Sequence, residues 1–218
     1  MNEALAELEE DHPDHLGAKI LRAKVLLRTG QLKQAEVLLN GVGKVGEGKL
    51  ANSQVSTVEA LLGRIYLERH DTVRALEQFD KAEKVDPENP DTIVGQATIH
   101  LLDQEPAKAL GRFKVAASLD PSSIDARLGI VESQIDLANY AEAKKALDVL
   151  RKAYPQEHKA HLLTGRLNRA LKAYTEATDA YKKAIELNPA YLPSYLELAS
   201  MYFETEQVSQ AMEVLEEA

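Results

Sequence analysis

The hydrophobic and polar positions of the chain repeat with a step of 34 residues. An alanine recurs at this step, and apolar residues follow it four and seven residues later. The spacing i, i+4, i+7 is one face of an α-helix. A proline, which ends a helix, comes twelve residues after each of the first four alanines. The alanines are Ala75, Ala109, Ala143, Ala177 and Ala211, and the prolines are Pro87, Pro121, Pro155 and Pro189.

A second set of positions precedes each alanine by twelve residues and is mostly small. Gly63, Ala97, Gly165 and Ala199 occupy it, and Val131 fills it in one copy. Small residues let two helices approach closely, so each repeat is predicted to be a helical hairpin. The predicted fold class is therefore all-α, an array of such hairpins.

One copy carries the most complete set of repeat residues, namely Leu62-Gly63, Tyr66, Ala75, Phe79, Ala82 and Pro87. This set resembles the tetratricopeptide repeat (TPR), and the resemblance covers nearly the full chain. The departures are Val131, His100 at a tyrosine position, and the lack of tryptophan. The resemblance implies a right-handed superhelix of TPR hairpins, an α-solenoid, whose concave face is lined by the first helix of each hairpin.

We predict one TPR superhelical domain over residues 1–218, divided by the repeat frame. The frame slips upstream, where Ala35 precedes Ala75 by 40 residues, and the slip predicts an inserted flexible loop at the glycine-rich segment 41–49. Because both ends fall inside a repeat, we expect the chain to be part of a longer array. The predicted segments are 2–15, the second helix of a truncated repeat; 16–55, a repeat with the insertion; full repeats at 56–89, 90–123, 124–157 and 158–191; and an incomplete repeat at 192–218.

The charge is unevenly distributed, and this limits the choice of partners. The net charge is −9, and residues 1–15 and 192–218 each carry six acidic and no basic residues. Duplex binding requires a basic stripe, so no nucleic-acid partner is predicted. No apolar run approaches the roughly 18 residues of a membrane span. The absence of cysteine excludes disulfides and leaves the localisation open.

Several local patterns imitate catalytic or ligand-binding motifs. The segment 41–46 satisfies G-x-G-x-x-G, yet it follows a predicted helix, whereas a phosphate-binding loop follows a strand. His158 and His161 are spaced to approach one metal ion, but the repeat frame explains them as the start of a first helix. We therefore predict no catalytic residues, no cofactor, no metal and no enzymatic activity.

The resemblance implies which side chains line the concave groove, and these are the candidate partner-binding residues. Their alternating charge and polarity suits an extended or helical peptide of complementary charge. The predicted function is therefore a protein-protein interaction scaffold or adaptor that binds a peptide segment or a partner domain. The candidates are Lys24, Arg28, Arg64, Glu68, Thr98, Leu101, Leu102, Glu132, Asp136, Lys159, Arg166, Arg169 and Phe203.

Two interpretations of Lys159, Arg166 and Arg169 remain open at this point. Together they would grip an acidic group of a partner, or they would form an ordinary solvated face. Under either interpretation, Arg166→Ala is expected to leave stability nearly unchanged. Phe203 is predicted to face the inner side as an exposed aromatic anchor.

The alternative function is a self-assembling structural unit, in which hairpin ends pack onto other copies. The sequence segments 18–28 and 160–165 are similar to segments of the long TPR arrays found in bacterial envelope and exopolysaccharide-export systems. These systems include lipoproteins associated with PEP-CTERM sorting. That resemblance implies a periplasmic or envelope location, and without it a cytoplasmic one is equally compatible with the sequence.

Overall fold

The computed structural model describes residues 15–45 and 50–218, and in these ranges it contains only α-helices joined by short turns. The predicted all-α fold class is confirmed. Twelve helices are present in the described ranges. They are α1 (Leu16–Arg28), α2 (Leu32–Val45), α3 (Asn52–Glu68), α4 (Thr72–Val85), α5 (Pro90–Leu102), α6 (Pro106–Leu119), α7 (Ile124–Asp136), α8 (Tyr140–Ala153), α9 (His158–Ala170), α10 (Tyr174–Leu187), α11 (Leu192–Glu204) and α12 (Val208–Glu216).

The helices follow the 34-residue step closely from α4 onward. Helices α4, α6, α8, α10 and α12 begin 34 residues apart, and so do α5, α7, α9 and α11. The turn inside each of these hairpins carries a non-glycine residue in the left-handed region, with φ between 58° and 62°. These residues also repeat every 34 positions, so the turn geometry belongs to the repeat. They are His70, Gln104, Ala138, Lys172 and Glu206.

Polar residues at the turns between hairpins cap the following helix. The Asn89 side chain accepts a hydrogen bond from the Thr92 backbone N–H at the start of α5. Ser123, one repeat later, accepts from Ala126 in the same way. Asn89 is only 3% exposed and also donates to Thr57 Oγ1 on α3 at 3.0 Å. Asn89 therefore joins two hairpins as well as capping one helix.

The described helices divide into two compact units. The first comprises the described residues up to Asp103 together with Val115–Ser122. Its core includes the fully buried ring of Phe79 on α4, which lies against Gly63 on α3 and Gly95 on α5. A Cβ atom at Gly63 would come within 2.6 Å of the ring, and one at Gly95 would overlap it. Glycine at both positions lets one aromatic ring fill the space between three helices.

The second unit comprises Gln104–Lys114 and Ser123–Ala218. Tyr181 on α10 occupies the position that Phe79 has in the first unit, and it is also fully buried. A Cβ atom at Gly165 on α9 would overlap its ring. Large side chains of α11, among them Leu198 and Met201, complete the core around Tyr181. The alanine and aromatic positions of the sequence pattern are thus packing positions in both units.

The predicted loop over 41–49 is wrong in its first half. Helix α2 continues through Gly41 and Gly43 to Val45, because Leu39 and Val42 extend its buried apolar face and tertiary packing outweighs the low helix propensity of glycine. Residues 46–49 lie outside the described residues, as does the predicted helix at 2–15 apart from His15. Helix α3 begins at Asn52, four residues before the predicted repeat boundary. The single domain over 1–218 stays a prediction.

Candidate partner-binding surface

The candidate residues of the first unit lie on the first helices α1, α3 and α5. Lys24 on α1 forms an ion pair of 2.7 Å with Asp91 on α5. The Thr98 hydroxyl donates to the Val94 carbonyl oxygen of its own helix, so only its acceptor lone pairs remain for a partner. Leu102 is 59% exposed and presents an apolar side chain at the end of α5. Of the remaining candidates in this unit, Arg64 and Leu101 are half-buried, whereas Arg28 and Glu68 are exposed.

Charged candidates of the second unit are brought together across three first helices. Helix α9 packs against α7 on one side and α11 on the other. The Arg166 guanidinium reaches Glu132 Oε1 at 2.5 Å and Asp136 Oδ1 at 2.9 Å, both on α7. It also lies 3.8 Å from Glu197 Oε1 on α11. Arg166 therefore bridges α7 and α11 with its side chain only 25% exposed.

Arg169 extends the same network along α11. Its Nη1 lies 3.2 Å from Glu197 Oε2, and its Nε lies 2.6 Å from Glu204 Oε2. Its Nη2 donates to the Ser200 hydroxyl at 3.1 Å. We call the four carboxylates and two guanidiniums of this surface the ladder, namely Glu132, Asp136, Arg166, Arg169, Glu197 and Glu204.

Both arginines of the ladder are stabilised in their charged form by carboxylates of the same surface. Burial opposes the charge of Arg166, but the carboxylates of Glu132, Asp136 and Glu197 more than compensate, so the pKa of Arg166 is raised. Burial also opposes the charge of Arg169, where Glu204 and Glu197 again raise the pKa above its usual value. Four carboxylates face two guanidiniums, which leaves the ladder with two negative charges. Its excess charge is acidic.

This arrangement changes the interpretation of the basic trio predicted from the sequence. Arg166 and Arg169 already bind carboxylates of their own unit, so they are neither a solvated face nor poised for an acidic ligand. Lys159 has a different neighbour, since its Nζ lies 5.4 Å from the ring centroid of Tyr191. The expectation that Arg166→Ala leaves stability nearly unchanged assumed a solvent-exposed side chain, whereas the Arg166 side chain is only 25% exposed and forms ion pairs.

Phe203 lies on α11 beside the ladder and directly precedes Glu204 in the sequence. It follows Ser200 by three residues and therefore lies one turn further along the same side of the helix. Its side chain is 46% exposed, although its helix neighbours Met201 and Tyr202 are buried. An aromatic ring of this exposure next to charged groups is a typical anchor for a protein ligand.

The candidate residues omit two members of the ladder, Glu197 and Glu204, and the pairing itself was not predicted. Glu197 was not among the candidates, although it contacts both arginines. A signal for the pairing was present, because Glu132 and Arg166 are opposite charges separated by one repeat length of 34 residues. In a stacked repeat, such residues lie side by side on neighbouring equivalent helices.

The described ranges contain neither a membrane-spanning helix nor a metal-binding cluster. No helix there is long and apolar enough to cross a membrane. No group of three histidine, aspartate or glutamate side chains in those ranges is placed to hold a metal ion. His158 and His161 have other contacts: the ring of His158 meets Tyr191 edge-on, and His161 Nε2 lies 3.0 Å from the Pro155 carbonyl oxygen.

Stacked helical hairpins with charged and aromatic side chains on their first helices define a helical-repeat scaffold for protein interactions. Comparison with known protein families identifies the family of helical repeats to which the chain belongs. A family model described as tetratricopeptide repeat matches residues 100–167 and 168–218, and a second model with the same description matches 61–124. The chain belongs to the tetratricopeptide repeat family.

Among curated proteins, the chain is similar to human protein O-mannosyl-transferase TMTC3, with 26% identity over 162 residues. The match covers 71% of this chain and 17% of TMTC3, so the chain spans about a sixth of that protein's length. The shared region is therefore a minor part of the human protein.

Solved structures with the same fold are also found at low identity. The Cut9–Hcn1 hetero-tetramer of the APC/C aligns with a TM-score of 0.73 and 16% identity, over 97% of this chain and 41% of that one. The type IV pilus biogenesis factor PilW aligns with a TM-score of 0.61 and 16% identity, over 92% and 90%. A TPR protein from Parabacteroides merdae gives a TM-score of 0.57 and 20% identity, over 92% and 77%. These similarities establish the fold.

Proposed function

We propose that the surface formed by α7, α9 and α11 binds a segment of another protein that carries basic and apolar side chains. The ladder supplies the charge that selects the basic residues, and Phe203 supplies the apolar contact. In this proposal the chain acts as an adaptor and performs no catalysis itself.

The observation that carries the proposal is the excess of carboxylates over guanidiniums in the ladder. Glu132 and Asp136 each use one oxygen to hold Arg166, and their side chains are 37% and 33% exposed. Their second oxygens are acceptors for a lysine or arginine of a partner. Because the arginines hold these carboxylates in fixed positions, a ligand gains charge-assisted hydrogen bonds without ordering them first.

The other functions proposed from the sequence have less support on this surface. Binding of an acidic group would require Arg166 and Arg169 to release carboxylates that they already hold. The envelope or exopolysaccharide-export assembly stays a prediction, because the likeness to PilW at 16% identity concerns the fold. The name of TMTC3 describes a transferase, and the chain matches 17% of it, so recruitment for a catalytic domain elsewhere in a larger protein is compatible with an adaptor.

A displayed library of random peptides, selected on the purified chain, tests the proposal directly. We expect the selected peptides to combine lysine or arginine with aromatic or aliphatic residues. Their affinity should fall as salt rises, because the contact is between exposed charges. Replacing the basic residues of a selected peptide by glutamate should abolish binding.

Phe203→Ala locates the binding site without disturbing the ladder. We expect the variant to bind a selected peptide at least about fivefold more weakly, as for an aromatic anchor of moderate importance. Val149→Ala is the matched control, since Val149 is 61% exposed on α8, away from the first helices. The proposal is contradicted if the selected peptides are acidic, or if both variants bind as the unchanged chain does.

A further inference from the structure

The charges of the second unit alternate from one first helix to the next. Helix α7 has three acidic side chains and one arginine, whereas α9 has one lysine, two arginines and no acidic side chain. Helix α11 has two acidic side chains and no lysine or arginine. A basic helix therefore lies between two acidic ones, and the acceptors for a basic ligand are divided between the two outer helices.

Both acidic ends of the ladder retain acceptor capacity for a ligand. Asp136 on α7 uses Oδ1 to hold Arg166 at 2.9 Å, and Glu204 on α11 uses Oε2 to hold Arg169 at 2.6 Å. The other oxygen of Glu204 lies 3.5 Å from the Tyr174 hydroxyl, a long contact that leaves lone pairs unused. The ladder thus offers one acceptor site at α7 and another at α11, with the arginines of α9 between them.

The exposure of Glu204 is a property of its repeat position. Asp136 precedes Glu204 by two repeats and Glu68 precedes it by four, and both are exposed although further hairpins follow them. This position on the first helix therefore stays open to solvent inside the array. A carboxylate at this position is accessible to a ligand wherever it occurs in the array.

The distance between the two ends restricts the ligands that can reach both. The axes of packed helices are about 8 to 10 Å apart, so α7 and α11, which pack on either side of α9, lie roughly 16 to 20 Å apart. Side chains six positions apart are separated by about 20 Å in a β-strand and about 19 Å in a polyproline II helix. In both conformations they point the same way, because six is a multiple of both two and three. An α-helix covers a similar distance only at a separation of about eleven residues.

The arginines between the two ends favour an extended ligand over a helical one. A guanidinium has five N–H donors, of which Arg166 uses two and Arg169 uses three in hydrogen bonds. The remaining donors suit carbonyl groups of a ligand backbone. These carbonyl groups lack an internal partner in an extended segment, whereas those in the interior of an α-helix are already bonded.

We propose that the ladder binds an extended segment of a partner in which two lysine or arginine residues lie about six positions apart. One cation meets the acidic end at Asp136, and the other meets the acidic end at Glu204. This inference rests on the proposed function and adds a spacing requirement to it. Because both cations belong to one segment, binding of the first raises the effective concentration of the second, so the pair binds more tightly than either cation alone.

Synthetic peptides of equal charge test the spacing. Each peptide carries two lysines in a background of serine, threonine and glutamine, at a separation of five, six or seven positions, and a further alanine-rich helical peptide carries them eleven apart. Fluorescence anisotropy at low salt gives the dissociation constants. We expect the peptide with separation six to bind at least about fivefold more tightly than those with five or seven. Replacing either of its lysines by glutamine should cause a similar loss.

Asp136→Asn and Glu204→Gln test the two ends separately. Each variant leaves both arginines with another carboxylate, so the rest of the ladder is preserved. Each should bind the peptide with separation six at least about fivefold more weakly and should no longer distinguish it from the peptide with separation five. Asp148→Asn on α8, at an exposed aspartate outside the first helices, is the matched control and should bind as the unchanged chain does.

The outcomes separate this inference from the function on which it rests. If the unchanged chain binds none of the lysine peptides, the proposed function is wrong and the spacing requirement with it. If it binds them equally at every separation, the proposed function stands and the spacing requirement is overturned. Tightest binding of the helical peptide overturns the extended conformation. A loss of affinity in only one of the two variants shows that the ligand contacts one end alone, which also contradicts the inference.

Discussion

Arg166 on α9 donates through Nη1 to Oε1 of Glu132 on α7 at 2.5 Å, across a sequence separation of one repeat. The same guanidinium holds Asp136 at 2.9 Å and approaches Glu197 on α11. One side chain thus ties together the first helices of three successive hairpins. The ladder is a structural element of the second unit as well as a binding surface.

Arg166→Ala is expected to lower the free energy of unfolding by about 1 to 2 kcal/mol. This loss is larger than that for breaking an exposed ion pair and smaller than that for breaking a buried one. The Arg166 side chain is only 25% exposed, but its acidic partners remain partly solvated. The loss should shrink in high salt. Urea unfolding at low and high salt measures both effects.

Arg151→Ala on α8 is the matched control for that substitution. Arg151 is exposed, and its replacement should change stability by less than about 0.5 kcal/mol. Equal stability of Arg166→Ala and the unchanged chain would show that the ladder contributes nothing to folding. It would also restore the expectation drawn from the sequence.

Gly165→Ala and Gly111→Ala should change stability in opposite directions. Both residues lie inside helices, so alanine gains helix propensity at each, worth about 1 kcal/mol. At Gly165 the added Cβ overlaps the buried ring of Tyr181, and overpacking of this kind costs about 2 to 3 kcal/mol. At Gly111 nothing lies within 4 Å of the added atom.

Thermal unfolding of both glycine variants provides the comparison. A lower midpoint for Gly165→Ala together with a higher one for Gly111→Ala agrees with the packing described. A rise for both would mean that Tyr181 shifts freely and that the close approach of α9 and α10 is not required.

These residues also show how far the sequence determines the structure. The positions of Gly165 and Ala177 in the 34-residue frame predicted the hairpins and their close contact, because backbone spacing depends directly on side-chain size. The ladder was not predicted, because the pairing of Arg166 with Glu132 depends on the rotamers of long side chains on helices distant in sequence. The end of α2 at Val45 was missed because the burial of Val42 outweighs local glycine propensity.

Asn89→Ala should destabilise the chain more than Ser123→Ala does. Both residues cap a first helix at the same repeat position, and loss of a cap alone costs about 1 kcal/mol. Asn89 is itself nearly fully buried and also donates to Thr57 Oγ1 at 3.0 Å, so its removal both empties a buried site and deletes a hydrogen bond to α3. We expect about 2 to 3 kcal/mol for Asn89→Ala by urea unfolding. Equal losses would mean that the contact with α3 adds nothing to the cap.

The Tyr181 hydroxyl lies buried behind the ladder and has no hydrogen-bond partner among the described residues. Burial raises the pKa of Tyr181, and the negative charge of Glu197 raises it further, against a smaller opposite effect of Arg169 and Arg166. An unfolded tyrosine has a pKa of about 10. Above that pH the unfolded chain releases this proton while the folded chain retains it, so stability is lost as pH rises.

Tyr181→Phe removes this ionisation and keeps the ring that fills the space beside Gly165. At pH 7 the variant should be as stable as the unchanged chain, or more stable by up to about 1 kcal/mol, because an unpaired hydroxyl has been removed from the core. Between about pH 9 and pH 11 the advantage of the variant should grow by about 1 kcal/mol, since only the unchanged chain gains from ionising Tyr181 when unfolded. Urea unfolding of both chains across this range measures the difference and cancels the titration of other groups. A difference that stays constant with pH would mean that Tyr181 ionises equally well in the folded chain, and hence that water reaches the core behind α9.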